Sequence, residues 1–382
     1  MKIENLINCT GCHACFSACP KSSISMQSNY EGFLFPVINK ELCVECGLCE
    51  KVCPVISYKS NKITNRKCFA AVNTNDAVRL SSSSGGMFTI LAEKVIDEGG
   101  VVFGAKFTED FNLVHSWTDN KEQISEFRGA KYFQSVIGDS YKECKKFLDS
   151  GRKILYIGTP CQIAGLQSFL RKLYDNLLLA EIVCHGVPSK LLWDTYKDYI
   201  SKNTDSNLKS FSFRNKTEGW LNYKLFATFD NNKSYSANHE KDLFMNLNLS
   251  NNCLRNSCYT CQFKNNNSLA DLTLGDFWGI NKIKPELFDN KGTSLVIVNT
   301  LKGENFVSNL SDCDIHELQL EDCIIFNPSV VHAAKKGEYR NSFYKMLNST
   351  SFPKFAKKYG VKKDFRYYLR VMKRGIKKWI IH

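Results

Sequence analysis

The chain has 382 residues, 43% hydrophobic, 23% charged and 12% aromatic, which excludes disorder and collagen-like repeats and leaves room for a sizeable core. No run approaches the roughly 18 apolar residues of a membrane span, and the opening MKIENLINCT lacks the basic-then-apolar build of a secretory leader, so a cytoplasmic location is expected. The net charge of +13 is local: residues 354–382 carry eleven Lys or Arg against one Asp, a net of +10, so the bulk of the chain is not a polybasic nucleic-acid binder.

Seventeen cysteines are too many for core packing in a compartment where structural disulfides are rare, and eight of them fall in residues 1–58. Cys9-x2-Cys12-x2-Cys15-x3-Cys19-Pro20 recurs as Cys43-x2-Cys46-x2-Cys49-x3-Cys53-Pro54. This is the spacing of a bacterial two-cluster ferredoxin, in which the fourth Cys of each run ligates the other cluster. The expected sets are therefore Cys9, Cys12, Cys15 and Cys53 for one [4Fe-4S] cluster, and Cys43, Cys46, Cys49 and Cys19 for the other. Zinc also uses C-x2-C pairs, but it does not explain two identical four-cysteine runs ending in proline.

A polar linker, KSNKITNR, covers 59–66. Residues 67–340 then alternate strand-like and helix-like runs. Strands are expected at 68–74, 101–107, 153–158 and 294–299, and helices at 87–100 and 163–173, the first closed by glycines. A strand, turn and helix occupy 177–200. Residues 210–236 read as antiparallel strands with Asn231-Asn232 at a turn. The middle reads as mixed α/β, but its order is irregular, so α+β is the expected class overall.

Neither a Rossmann fingerprint nor a P-loop is present. Ser81-Ser82-Ser83-Ser84-Gly85-Gly86 precedes the 87–98 helix, which makes either an anion cradle or a plain serine-rich cap. Cys161 and Cys184 each stand at a strand-to-helix turn, and Cys258-x2-Cys261 lies further on. These four could converge on one metal. Cys253-x4-Cys258-x2-Cys261 also matches a plant-type two-iron spacing, and the residues alone leave both readings open.

The two Cys runs, SSSSGG (81–86), GAKYFQS (129–135), GTPCQIAGL (158–166), CHGVPS (184–189) and CYTCQFKNNNSLADLTLGDFWG (258–279) occur in this order. On these blocks the sequence resembles, over about 1–335, the coenzyme F-420 (deazaflavin) hydrogenase/dehydrogenase β-subunit protein family in its form with an N-terminal two-cluster ferredoxin module, of the type found in bacterial polysaccharide-biosynthesis loci. The resemblance implies FAD and a third [4Fe-4S] cluster held by Cys161, Cys184, Cys258 and Cys261. It also implies flavin contacts from Ser84, Gly85, Gly86, Lys131 and Tyr132, with Lys131 favouring the reduced, anionic flavin. Cys68, Cys144, Cys253, Cys313 and Cys323 are left as small buried hydrophobes. Asp271, Gly275, Asp276 and Trp278 form either a structural turn or a wall of the flavin site. His185 is read as support for its neighbouring Cys rather than as a proton donor, and His115, His239, His316 and His332 are assigned nothing.

The expected organisation is a ferredoxin module at 1–58, a flavin-binding domain at 67–340 and a basic amphipathic tail at 341–382. In the tail Val361, Phe365, Tyr368, Leu369, Met372, Ile376 and Trp379 share one helical face. It would pack on the body or lie on an anionic membrane surface. The expected function is an iron–sulfur flavoprotein oxidoreductase taking electrons from ferredoxin or flavodoxin to an unidentified substrate, small or a lipid-linked sugar, without commitment to the deazaflavin. The alternative is a non-catalytic electron-transfer subunit that feeds a partner enzyme.

Overall fold

The computed structural model describes residues 2–57, 63, 65–265 and 267–361. The first element is a hairpin of β1 (Ile24–Ser28) and β2 (Leu34–Ile38), paired antiparallel. Two short helices, Ala14–Ala18 and Leu48–Lys51, each hold the third Cys of one run. Their core is small: Ile3, Ile24, Ile38, Cys49 and Cys53.

The body is built on β3 (Lys67–Asn73), β4 (Val101–Phe107), β5 (Leu113–Thr118), β6 (Ile154–Gly158), β7 (Leu177–Ile182), β8 (Leu208–Asn215), β9 (Lys224–Phe229), β10 (Ser234–Asn238), β11 (Leu272–Asp276), β12 (Ser294–Val298) and β13 (Cys313–Leu318). Eight of them form one sheet in the order β13-β3-β12-β11-β7-β6-β4-β5. The pairings make β3, β4, β6, β7 and β11 mutually parallel. Every residue of β6 and of β12 is buried, as continuous apolar runs covered on both faces require. One face packs Leu155, Leu178 and Val296 under Met87, Leu91 and Val95 of helix Met87–Asp97. The other packs Ile154, Tyr156 and Leu179 under helices Ser140–Asp149 and Pro160–Leu170.

The sheet bears out the mixed α/β reading of the middle of the chain, and its parallel core makes the body α/β rather than α+β overall. Its parallel order is hidden in the sequence because β3 and β11 reach their places from opposite ends of the chain. The carboxyl ends of its five parallel strands share one edge, where open α/β sheets place their sites.

A second sheet, β10-β9-β8, is antiparallel. Its turn lies where expected, with Asn232 left-handed at φ 64°. It packs into an aromatic cluster with Trp193, Tyr196, Phe213 and Phe244. Helices Arg340–Met346 and Phe352–Tyr359 enter the same cluster through Phe343, Phe355 and Tyr359. The first part of the expected tail thus belongs to the body, because its aromatics recur every three or four residues. Of the seven residues on the expected amphipathic face, all but Val361 lie outside the described residues. Among the described residues no helix is long and apolar enough to cross a membrane.

The N-terminal module is locked to this body. Arg340 forks onto Glu31, Nη1 to Oε1 and Nη2 to Oε2, both at 2.6 Å. Arg255 donates to the carbonyls of Cys9 and Leu34 and to Gln134 Oε1. Gln134 Nε2 in turn donates to Thr10 O at 2.7 Å.

Candidate functional site

The two N-terminal Cys loops fold alike. Gly11 and His13 in the first, and Glu45 and Gly47 at the matching positions of the second, all have φ between 51° and 69°. Each loop therefore turns left-handed twice and carries its cysteines around an opening instead of away from it. Gly11 has a further reason to be glycine: a Cβ there would stand 2.8 Å from Arg255 Nη1.

One opening, of about 340 Å³ and partly shared with solvent, is lined by Cys9, Cys12, Cys15 and Cys53. The other, of about 330 Å³, is lined by Cys19, Cys43, Cys46 and Cys49. The fourth Cys of each run has crossed to the other run's opening. Burial, then Cys9 and Cys53, push the Cys15 thiol up to about 12. Burial dominates at Cys12 too, with Cys15, Cys9 and Cys53 adding to the rise. Thiols that crowd and discourage one another's ionisation need a cation to become thiolates together, and a cubane's iron supplies one. The residues present fit such a group. Among the described residues no three His, Cys, Asp or Glu side chains converge on a single metal ion.

The third group of cysteines assembles at the carboxyl edge of the large sheet. Cys161 opens helix Pro160–Leu170 directly after β6, and Cys184 follows β7, its neighbour in the sheet. Cys258 and Cys261 stand on and just after the turn Asn256–Thr260. Burial raises all four thiols. Cys184, Cys161 and Cys261 add to the rise at Cys258, while Cys184, Cys261 and Cys12 add to it at Cys161. The same chemistry as in the N-terminal loops therefore fits a third cubane. Cys253 is turned elsewhere: it is buried in the aromatic cluster with Sγ 3.5 Å from Leu247 O. Cys68, Cys144 and Cys323 are buried and Cys313 is half-buried.

The first and third groups adjoin. A Cβ on Gly165, one turn into the helix that bears Cys161, would lie 3.0 Å from Cys12 Sγ. Lys264, itself buried, donates Nζ to the carbonyls of Cys184 and Ser329. His185 is engaged by Asn251 Oδ1 at 2.6 Å and by Ser329 Oγ at 3.4 Å. His115, unassigned from sequence, is buried between Ser135 Oγ and Ile157 O, and burial lowers it to about 4. Gln162 bonds the same Ser135 and Thr159, whose Oγ1 lies 3.2 Å from Cys161 Sγ.

The residues expected at a flavin come together on the same edge, beyond the end of β3. Gly85 is packed so closely that a Cβ would meet Ala71 O at 2.4 Å, and Gly86 caps helix Met87–Asp97 at φ 90°. The Ser84 hydroxyl points inward to Thr293 O at 2.7 Å. Lys131 Nζ donates to the carbonyls of Phe127, Arg128 and Gly129 at 3.1 Å each. Burial lowers its pKa from 10.5 to about 7. The Lys131 amine thus closes a helix end, a local role that competes with the one expected at a flavin. Lys131→Met is expected to cost about 1–2 kcal/mol, read by urea denaturation, because carbonyls lose their donor.

The residue that joins these blocks is Arg214, missed from sequence. It forks onto Asp276 at 2.9 and 3.1 Å, and donates to Tyr132 Oη and Ser83 O. Its guanidinium lies 4.0 Å from the Tyr223 ring centre and 5.1 Å from that of Trp278. Trp278 stacks on Trp220 at 4.8 Å, and Trp220 Nε1 donates to Asp276 Oδ1. Asp271 is structural: it accepts from Leu179 N and Thr300 Oγ1. Gly275 leaves no room for a Cβ, which would meet Val183 at 2.7 Å.

Residues 8–56 match the 4Fe-4S dicluster domain, and residues 151–322 match the C terminus of the coenzyme F420 hydrogenase/dehydrogenase β subunit. An F(420)H(2) dehydrogenase subunit of Methanosarcina mazei is 24% identical over 187 residues, 45% of this chain and 51% of that protein. The coenzyme F420-dependent sulfite reductase of Methanocaldococcus jannaschii is 24% identical over 187 residues, 48% of this chain and 28% of that protein. A ferredoxin of Mycolicibacterium smegmatis is 35% identical over 74 residues, 19% of this chain and 65% of that protein. The chain spans about half the length of the first of these relatives and less of the second. Residues 151–322 thus resemble the C terminus of the coenzyme F420 hydrogenase/dehydrogenase β subunit, behind a 4Fe-4S dicluster domain at residues 8–56.

Proposed function

We propose that the protein is an iron–sulfur flavoprotein component of an oxidoreductase, with twelve cysteines holding three [4Fe-4S] cubanes and the Ser81–Gly86, Tyr132 and Arg214 region holding FAD. When bound, these groups supply one-electron steps and their pairing into two-electron chemistry. The observation that carries the reading is the succession of three four-cysteine groups. The outer includes exposed Cys46 beside exposed Leu42 and Val44. The inner lies against helix Pro160–Leu170, and the last stands on the sheet edge beside the Arg214 cluster.

The chain's own residues give that succession its fixed spacing. Arg255, Arg340 and Gln134 clamp the N-terminal module to the body. Thr159 and Lys264 hold the backbone that carries Cys161 and Cys184. Arg214 and Asp276 tie the serine loop to the end of β11. Exposed Leu42 and Val44 offer a contact for a ferredoxin or flavodoxin, and the names of the relatives make coenzyme F420 the first compound to try as the two-electron reactant. A lipid-linked sugar rests on the resemblance to polysaccharide loci alone.

Anaerobically purified protein is expected to contain about twelve Fe and about one FAD per chain. Cys161→Ser is expected to leave about eight Fe. Zinc in place of iron, or a Cys161→Ser protein with its full iron, would sink the assignment. A second reading, a subunit that only passes electrons to a partner enzyme, is favoured by the first relative being itself named as a subunit. Reduction of coenzyme F420 by the isolated, chemically reduced protein would speak for a self-sufficient enzyme.

A further inference from the structure

The two N-terminal Cys loops share a backbone but differ in lining. Thr10 Oγ1 and His13 Nδ1 are buried and have no hydrogen-bond partner among the described residues. Both residues line the opening formed by Cys9, Cys12, Cys15 and Cys53. Both atoms are buried, their residues 8% and 3% exposed. At the matching positions of the second run stand Val44 and Gly47, which line the other opening and bring no side-chain donor. A buried hydroxyl or imidazole without a partner costs free energy, and such groups call for an acceptor that belongs at the site.

We infer that Thr10 and His13 are tuning residues, whose hydroxyl and ring N–H donate to the inorganic sulfur held by Cys9, Cys12, Cys15 and Cys53 and raise the reduction potential of that inner site. The inference rests on the cubane reading above. Reduction adds negative charge, and donors aimed at sulfur favour it, whereas burial disfavours it. Cys12 and Cys53 are buried and Cys46 of the outer group is exposed, so burial alone would set the inner site below the outer one. Thr10 and His13 oppose that difference. The Arg255 guanidinium acts in the same sense, seated against Gly11 and bonded to Cys9 O at 2.7 Å. The outer site has a donor of its own, Ser23 Oγ at 3.1 Å from Cys19 Sγ. The inner pair therefore narrows or reverses a difference set by burial, which lets single electrons pass between the two sites in either direction.

The test is an EPR-monitored redox titration of the anaerobically purified full chain, as wild type, Thr10→Val, Thr10→Ser and His13→Gly. His13→Gly places at a left-handed position the residue that the second loop already uses there, and Thr10→Val keeps side-chain volume. Each of these two is expected to shift one N-terminal midpoint downward by about a tenfold change in the reduction equilibrium, about 59 mV for one electron, with the other midpoint fixed. Thr10→Ser is expected to retain the wild-type value. Wild-type protein without reducible iron signals would defeat the cubane reading itself. Variants with full iron and unmoved midpoints would overturn the tuning role alone.

Discussion

An Arg340→Met protein is expected to be about 3–5 kcal/mol less stable than wild type in urea denaturation. The Arg340 side chain is 2% exposed and that of Glu31 is 8% exposed. All three guanidinium nitrogens are used, the third donating to Leu254 O at 2.7 Å. Methionine preserves much of the volume but leaves the Glu31 carboxylate buried without its cation. The doubly apolar Arg340→Met, Glu31→Met protein should recover most of the loss, because a buried ion pair gains little over apolar packing once both charges are gone. A single substitution costing less than about 1 kcal/mol, the scale of a surface pair, would show that the pair is solvated in solution. The effect reaches beyond local stability, because Glu31 stands between β1 and β2 whereas Arg340 opens a helix of the body. The inner Cys group would lose part of its fixed position against helix Pro160–Leu170.

The parts of the protein that were legible in the sequence are those where chemistry dictates spacing. Cluster ligation demands cysteines at fixed separations, so both N-terminal runs could be read, down to the exchange of Cys19 and Cys53 between openings. The structure adds why the loops turn: four left-handed residues, of which only Gly11 and Gly47 announce themselves by type. Central strands β6 and β12 were legible as continuous apolar runs. Their neighbours in the sheet were not, since pairing of β3 with β12, more than 200 residues apart, leaves no local periodicity. Charge misled at the helix Phe352–Tyr359. Lys354, Lys357 and Lys358 made residues 352–359 look like part of a basic tail, whereas Phe352, Phe355, Ala356 and Tyr359 bury the other side of that helix. Lys131, placed beside a flavin by the resemblance, spends its amine on the carbonyls of Phe127, Arg128 and Gly129. Arg214, Arg255 and Arg340 are buried arginines that look like surface residues in sequence. Their partners lie 62, 246 and 309 positions away, at Asp276, Cys9 and Glu31.

Arg214→Met should combine a stability loss of about 3–5 kcal/mol with loss of bound flavin. The Arg214 side chain is 2% exposed and faces Asp276 at 18%. Without it the Asp276 carboxylate keeps the Trp220 N–H but loses its forked cation, while Tyr132 Oη and Ser83 O each lose a donor. The serine loop then keeps its bonds from Ser84 Oγ to Gly275 O and Thr293 O and from Gly85 N to Ser294 Oγ. If this loop and Tyr132 form the flavin site, a loosening of about 1.4 kcal/mol there weakens FAD binding about tenfold. Arg214→Lys separates charge from geometry: lysine restores a cation but cannot fork onto Asp276 and reach Tyr132 together. It should therefore regain part of the stability and little of the FAD content. Flavin-to-protein ratios, taken beside urea midpoints for both variants, make the measurement. An Arg214→Met protein that is destabilised yet keeps one FAD per chain would place the flavin away from Tyr132 and the serine loop. The buried Arg214–Asp276 pair would then be a strut of the sheet edge, as the Lys131 amine is of its helix.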